Sequence, residues 1–335
     1  MAAKKFEERF QSGSARRVAR RVDEVFTSLE RIPFLRKEDR SEFRYFRRLF
    51  LSACKAIDKR IGTGEIRPWT KAEIDILTGS AQAHFPQPSP RGKAAPHKAM
   101  SSQAPHCHLL SRRSIRLGVF IGSFDPFQMT HLETALRFLA KGQRPADLVL
   151  VIPEGAYTSL KPGRSDYAYR FDILQRQVTE AFRPFIVPLD IGSAQDTIGI
   201  VNRIIGLSTG YPLTLTHILG SDVFPLAAKW YRADLDAWEP EARKRQVGFD
   251  FGTFVVQRKK EDRISDLVKA TRRMGVPVQV DPKPIGTPSS SEVREQGVFT
   301  IVFPTEEVIE KLEVVFRYGM HRHWLTEKGG AEYDI

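Results

Sequence analysis

The stretch Gly122-Ser123-Phe124-Asp125-Pro126-Phe127-Gln128-Met129-Thr130-His131 joins an apolar, strand-like run over residues 115 to 121 to a helical pattern over residues 132 to 139. A strand that ends in a tight glycine turn aims the free N–H groups and positive dipole end of the next helix at the crevice beyond the strand. An imidazole at that helix start adds a donor for a phosphate oxygen. The bland reading, a plain strand-to-helix connection, uses the same glycine.

Working outward, apolar runs predict strands near residues 115 to 121, 147 to 152, 184 to 189, 213 to 219, 252 to 258 and 276 to 280, separated mostly by helical patterns. That alternation implies an α/β fold with a doubly wound, mainly parallel, Rossmann-like sheet. Ligands of such sheets sit beyond the carboxyl ends of the strands, where Gly122, Gly155 and Gly220 fall.

The first 83 residues read differently. Apolar positions such as Val22, Phe26, Leu29, Phe43, Phe46, Leu49, Phe50 and Ala53 are spaced for amphipathic helices, with no strand alternation. Residues 84 to 113 are rich in Pro, Ser, Ala, Lys and His, the composition of a flexible linker. The expected organisation is therefore a helical basic module over 1–83, a linker over 84–113 and a catalytic-type α/β domain over 114–325. Residues 1 to 60 hold 17 Lys and Arg against 9 Asp and Glu, so most of the chain's net charge of +12 is N-terminal. Arg16-Arg17, Arg20-Arg21 and Arg44 with Arg47-Arg48, interleaved with Phe43, Tyr45 and Phe46, suit a polyanionic partner: nucleic acid, an acidic protein or an anionic membrane surface. A solvated helix face is the competing reading.

Two cysteines, Cys54 and Cys107, give no disulfide or metal framework. No apolar run is long enough to span a bilayer, and the N-terminus lacks the apolar core of a secretory signal, so the cytoplasm is the expected location.

The full string from Gly122 to His131 resembles the G-x-F-D-P-x-H-x-G-H signature of the nucleotidyltransferase superfamily. Downstream, Pro288-Ser289-Ser290-Ser291-Glu292-Val293-Arg294 is similar to the I-S-S-T-x-I-R block of the nicotinate and nicotinamide mononucleotide adenylyltransferases. Between them, Ile152-Pro153-Glu154-Gly155 with Lys161-Pro162, the run Tyr169-Arg170-Phe171-Asp172, Ile218-Leu219-Gly220-Ser221-Asp222 with Trp230, and Phe254 to Arg258 fall in that family's order. The resemblance spans roughly residues 115 to 320. It implies transfer of AMP from ATP to a pyridine mononucleotide, releasing pyrophosphate and forming a dinucleotide, with Mg²⁺ accompanying ATP and no protein metal cage.

Carried over residue by residue, the resemblance makes His131, Gln128 and Arg294 the catalytic set. Gly122, Ser123, Phe124, Gly220, Asp222, Arg258, Ser289, Ser290 and Ser291 join His131 and Arg294 around ATP. Lys161, Thr197 and Trp230 meet the acceptor. Each has a plainer reading: Trp230 as core, Asp222 and the serines as helix caps, Lys161 and Arg258 as surface charges. Asp125 reads as a turn residue rather than a ligand.

The chain departs from the family at two motif positions. Gln128 stands where the family has its first His, and Thr130 where it has Gly. Gln can donate a hydrogen bond but carries no charge, and a charge-assisted bond to phosphate is roughly twice as strong. The loss corresponds to a rate lower by about 10² to 10³. Of the pyridine-recognition segment only Thr197 is kept. Two other functions therefore stand beside the first: a nucleotidyltransferase with a different phosphorylated acceptor, and a nucleotide-binding regulator with reduced turnover.

Overall fold

A computed structural model describes residues 14–31, 37–78, 114–125, 127–155, 167–192, 196–258 and 264–285. The expected boundaries at 83/84 and 113/114 fall at or beside residues outside this set, as does Cys107.

Six strands form one sheet in the order β3-β2-β1-β4-β5-β6. They are β1 (Ile115–Gly122), β2 (Leu148–Pro153), β3 (Ile186–Pro188), β4 (Leu213–Gly220), β5 (Phe249–Val256) and β6 (Val278–Asp281). Every neighbouring pair is parallel, so the doubly wound Rossmann-like α/β fold is the one observed. All six strands lie near their expected positions. β5 begins earlier than the pattern suggested: Phe249 and Phe251 pair with Leu213 and Leu215, and Gly252 lies inside the strand. A Cβ on Gly252 would come within 2.9 Å of Arg144 Nε, so a close approach rather than a turn requires this glycine.

The strands have apolar residues toward both faces, as parallel strands covered on both sides do. Toward one face, Phe120, Val149, Val151, Ile218 and Phe254 share a core with Phe138, Leu174 and Phe182 of the covering helices α4 (Met129–Lys141) and α5 (Tyr167–Phe182). Toward the other, Ile115, Leu117, Val119, Leu150 and Leu215 pack with residues of α6 (Thr197–Leu207), α7 (Phe224–Lys244) and α8 (Ser265–Arg273). Gly118 lets Phe138 lie against the central strand, since a Cβ there would be 2.5 Å from the Phe138 ring.

The N-terminal helices belong to these same cores. In α1 (Ser14–Glu30) and α2 (Lys37–Gly62), Val22, Phe26, Phe43, Phe46 and Phe50 are all buried. Phe50 meets Phe182 edge to face at 5.9 Å, so the hairpin of α1 and α2 extends the first core rather than forming its own. Cys54 is buried there, and burial pushes its thiol up to about 12, so it is no thiolate at neutral pH.

The chain then crosses to the opposite face. Trp69 and the residues Ile74 and Leu77 of α3 (Lys71–Thr78) join the second core. Thr70 and Glu73 form a reciprocal cap at the start of α3, Glu73 N–H donating to Thr70 Oγ1 (3.2 Å) and Thr70 N–H to Glu73 Oε2 (2.8 Å). The crossing is pinned at the foot of β1 and β2. Buried Asp147 accepts from Arg67 N–H at 2.8 Å and from Arg116 Nε at 3.1 Å, while Arg116 Nη2 also donates to the Glu65 carbonyl at 2.8 Å. The N-terminal segment thus straddles the sheet.

Candidate functional site

From β1 the chain winds to β2 and β3 on one side, and from β4 onward it builds the other side. The carboxyl ends of β1 and β4 therefore frame the point where strand order reverses, the position at which open parallel sheets bind ligands. The motif from Gly122 to His131 leaves β1 there, and Gly220 to Asp222 leaves β4.

Between Gly122 and α4 the backbone is strained and aromatic. Phe124 has φ +44°, a left-handed conformation unusual for a residue with a bulky side chain. Its ring meets Phe120 at 5.1 Å and Phe127 at 5.3 Å. It also lies over Gly122, where a Cβ would come 3.0 Å from Phe124 Cε1. Glycine at 122 thus admits the Phe124 ring. Asp125 is buried in this turn, in keeping with its reading as a turn residue.

Gln128 caps α4 in extended conformation and is fully buried. Its backbone N–H donates to His131 Nδ1 at 3.0 Å, and His131 N–H donates to the Gln128 carbonyl at 2.9 Å. An imidazole whose Nδ1 accepts carries its proton on Nε2. The ring is boxed by Phe124 at 5.0 Å, Phe127 at 5.3 Å and Phe120 at 5.9 Å, yet His131 remains partly exposed. The N-cap backbone and three phenylalanines therefore hold one donor, Nε2–H, at the start of α4. Thr130 is buried in the same turn.

Two polar contacts fix the surrounding strand ends. Arg170, almost wholly buried, donates to the Ser123 carbonyl at 2.5 Å and to the Glu154 carbonyl at 3.0 Å, tying the loop after β1 to the end of β2. Glu154 N–H also donates to the Gly122 carbonyl at 2.8 Å. Across the crevice, Ser221 Oγ accepts from Arg258 N–H at 2.8 Å, joining the end of β4 to the segment after β5. Arg258 Nε lies 4.0 Å from Asp222 Oδ2, and a Cβ on Gly220 would collide with Asp222 Oδ1.

Gly122, Ser123, Phe124, Gln128, His131, Gly220, Asp222 and Arg258 are thus on one edge of the sheet, on adjoining strand ends. Thr197 is the first residue of α6, whose cap is Asp196, accepting from Gly199 N–H at 2.7 Å. Trp230 is not core: it is 60% exposed and shares one side of α7 with exposed Leu226. Lys161, Ser289, Ser290, Ser291 and Arg294 lie outside the described residues.

Arg170 and Ser221 were quoted within motifs in the sequence but not read as site residues. The signal for Arg170 was periodicity. It heads the stripe Arg170, Leu174, Val178, Phe182 that α5 buries, and a charged residue on a buried stripe must have partners. Two groups with displaced pKa values lie away from the crevice. His217, within β4, is lowered to about 4 by burial, and Asp234 of α7 is raised to about 6, first by burial and then by Asp196.

Fold and crevice together define a doubly wound, Rossmann-like α/β protein whose switch point carries a capped helix start and a fixed imidazole donor. No family model matches the chain, and no curated protein matches it in sequence. Among solved structures it is similar to the Plasmodium falciparum nicotinic acid mononucleotide adenylyltransferase complexed with APC, at 16% identity over 61% of this chain and 96% of that one, TM-score 0.38. The same enzyme complexed with NaAD gives 15% identity over 62% and 97%, TM-score 0.39.

Proposed function

We propose that this protein transfers AMP from ATP to nicotinate or nicotinamide mononucleotide, forming a dinucleotide and pyrophosphate. The observation that carries the reading is His131. Its Nδ1 accepts from the N-cap N–H, which sets Nε2 as the ring nitrogen that carries the proton, and the ring stands at the N-terminal end of α4, at the switch point of the sheet. A helix N-terminus and a fixed N–H donor suit the charge that builds on phosphoryl oxygens in the transition state.

In this reading the acceptor's phosphate oxygen attacks the α-phosphorus of ATP. The bond from that phosphorus to the bridging oxygen breaks, and pyrophosphate leaves with the bond's electron pair. His131 donates to the phosphate oxygens. Gln128 acts through its backbone, holding the imidazole, and Arg170 and Ser221 hold the strand ends that shape the crevice. Asp222 suits a ribose hydroxyl. Ser290, Ser291 and Arg294 would grip the distal phosphates, Lys161 and Arg258 the remaining phosphate charge, and Trp230 the acceptor ring. Mg²⁺ would arrive on the triphosphate, held by phosphate oxygens and water.

The test is incubation of the full chain with Mg-ATP and each mononucleotide, measuring dinucleotide and pyrophosphate. His131→Ala is expected to cut turnover about 10²- to 10³-fold. Absence of dinucleotide above that variant's level removes the reading. Two other readings are separable in the same assay. Pyrophosphate release with a different acceptor would indicate another nucleotidyltransferase. The burial of uncharged Gln128 favours the regulator only if ATP binds tightly and neither wild type nor Gln128→His turns over.

A further inference from the structure

Away from the strand ends, a cleft of about 390 Å³ opens along the seam between α2 and α4. It exists because the facing side chains are too small to fill it: Ser52, Ala53 and Ala56 of α2 stand opposite Ala140 of α4. Tyr45 and Leu49 continue that wall, and Arg48, Arg137, Lys141 and Lys283 complete the lining.

The charges of this cleft do not balance. Among the described residues, the carboxylates beside its cations are Glu133, which pairs with Arg137, and Asp281, whose Oδ2 lies 3.7 Å from Arg137 Nη1 and 3.8 Å from Lys141 Nζ. Arg137 is consumed by these contacts and by the Lys283 and Pro284 carbonyls, so it is a fixed wall. Arg48 has no ion pair among the described residues, and exposed Lys283 reaches the buried Glu133 only through space. Four cations against two carboxylates leave two positive charges on a cleft that is otherwise apolar and aromatic.

We propose that this cleft binds a phosphate monoester carrying a planar or apolar group, with the phosphate between Arg48, Lys141 and Lys283 and the other group against Tyr45, Leu49 and the alanines. A phosphate monoester carries about −1.5 to −2 charge at neutral pH, which matches the excess. The volume is within the range of small-molecule sites, roughly 300–1,000 Å³. The site is separate from the strand-end crevice: α4 starts at that crevice with His131 and reaches the cleft only with Arg137 to Lys141.

Calorimetric titration of the full chain with AMP tests this, with adenosine and inorganic phosphate as the half-ligands. Because AMP suits the proposed ATP crevice as well, the variants separate the two sites. Saturable AMP binding is expected to persist in His131→Ala. It should weaken at least tenfold in Arg48→Ala/Lys283→Ala, where both side chains are exposed and the melting temperature should hold. Ser52→Leu, which fills the cleft and changes no charge, should weaken AMP to a similar extent. Each half-ligand should bind more weakly than AMP. Wild-type affinity in Ser52→Leu and in the double variant overturns the proposal, as does loss of all AMP binding in His131→Ala. Binding that never saturates and only follows salt also overturns it, and would mark a diffuse cationic surface.

Discussion

Replacing Phe50 with Ala asks whether the N-terminal helices and the α/β sheet are one folding unit. Phe50 is fully buried, with ring centroids of Phe46, Phe26 and Phe182 at 5.6, 5.9 and 5.9 Å. Truncating a buried Phe costs about 3–5 kcal/mol, to which each lost aromatic pair contributes roughly 0.5–1.5 kcal/mol. Against a total stability of about 5–15 kcal/mol this is a large fraction. With a urea slope of roughly 2–3 kcal/mol/M the midpoint should fall by about 1–2.5 M. Unfolding is followed by far-UV circular dichroism and by the emission of Trp69 and Trp238, both buried in the core on the opposite face of the sheet. Both signals should move together, because the perturbation enters through α2 and is felt across the sheet. Two separated transitions, with only the helical one displaced by Phe50→Ala, would refute the shared core.

Three further outcomes follow from named contacts. Gly118→Ala should destabilise by about 1–3 kcal/mol, because its Cβ would sit 2.5 Å from the Phe138 ring; an unchanged thermal midpoint would mean that the ring relaxes freely. Asp147→Ala should cost about 3–5 kcal/mol in denaturant titration, since it strands the Arg116 guanidinium and the Arg67 N–H; a loss under 1 kcal/mol would deny the pin beneath the sheet. His217 stays neutral in the fold down to about pH 4, while the unfolded chain protonates it below about 6.5. Its contribution of about 3 kcal/mol is therefore complete above pH 6.5 and lost as pH falls toward 4. Asp234, raised to about 6, has the opposite sign: the fold takes up its proton first and gains stability on acidification. His217→Gln should therefore make the fold more stable at pH 5 than at pH 7 relative to wild type, and Asp234→Asn should steepen the acid loss; parallel pH profiles for all three proteins would contradict both assignments.

The sheet was legible because parallel strands buried on both faces leave apolar runs that need no partner to be recognised. The start of β5 was not, since Gly252 read as the strand's first residue, and what requires glycine inside the strand, Arg144, lies far away in the chain. Amphipathic spacing identified the apolar faces of α1 and α2 but contains nothing about what covers them. Phe50 therefore read as the core of a separate module when Phe182 completes it. At the crevice, the string from Gly122 to His131 located the turn that leads from β1 into α4. The bond that fixes the imidazole was hidden, because Gln128 makes it through a backbone N–H that every residue but proline possesses. Trp230 had two readings in the sequence, and its exposure excludes core.

The crossing of the N-terminal segment beneath the sheet also bears on how the chain is made. The helices with Phe26, Phe43, Phe46 and Phe50 leave the ribosome well before Phe182 and the strand residues Val149, Ile218 and Phe254 that share their core. Until then a row of aromatic side chains has nothing to pack on except its neighbours in α1 and α2. Such faces are the ones that holding chaperones bind and that associate between nascent chains. Yield during synthesis should therefore be governed by how quickly α4 and α5 arrive to cover that face, and slowing translation before them should cost more protein than slowing it after.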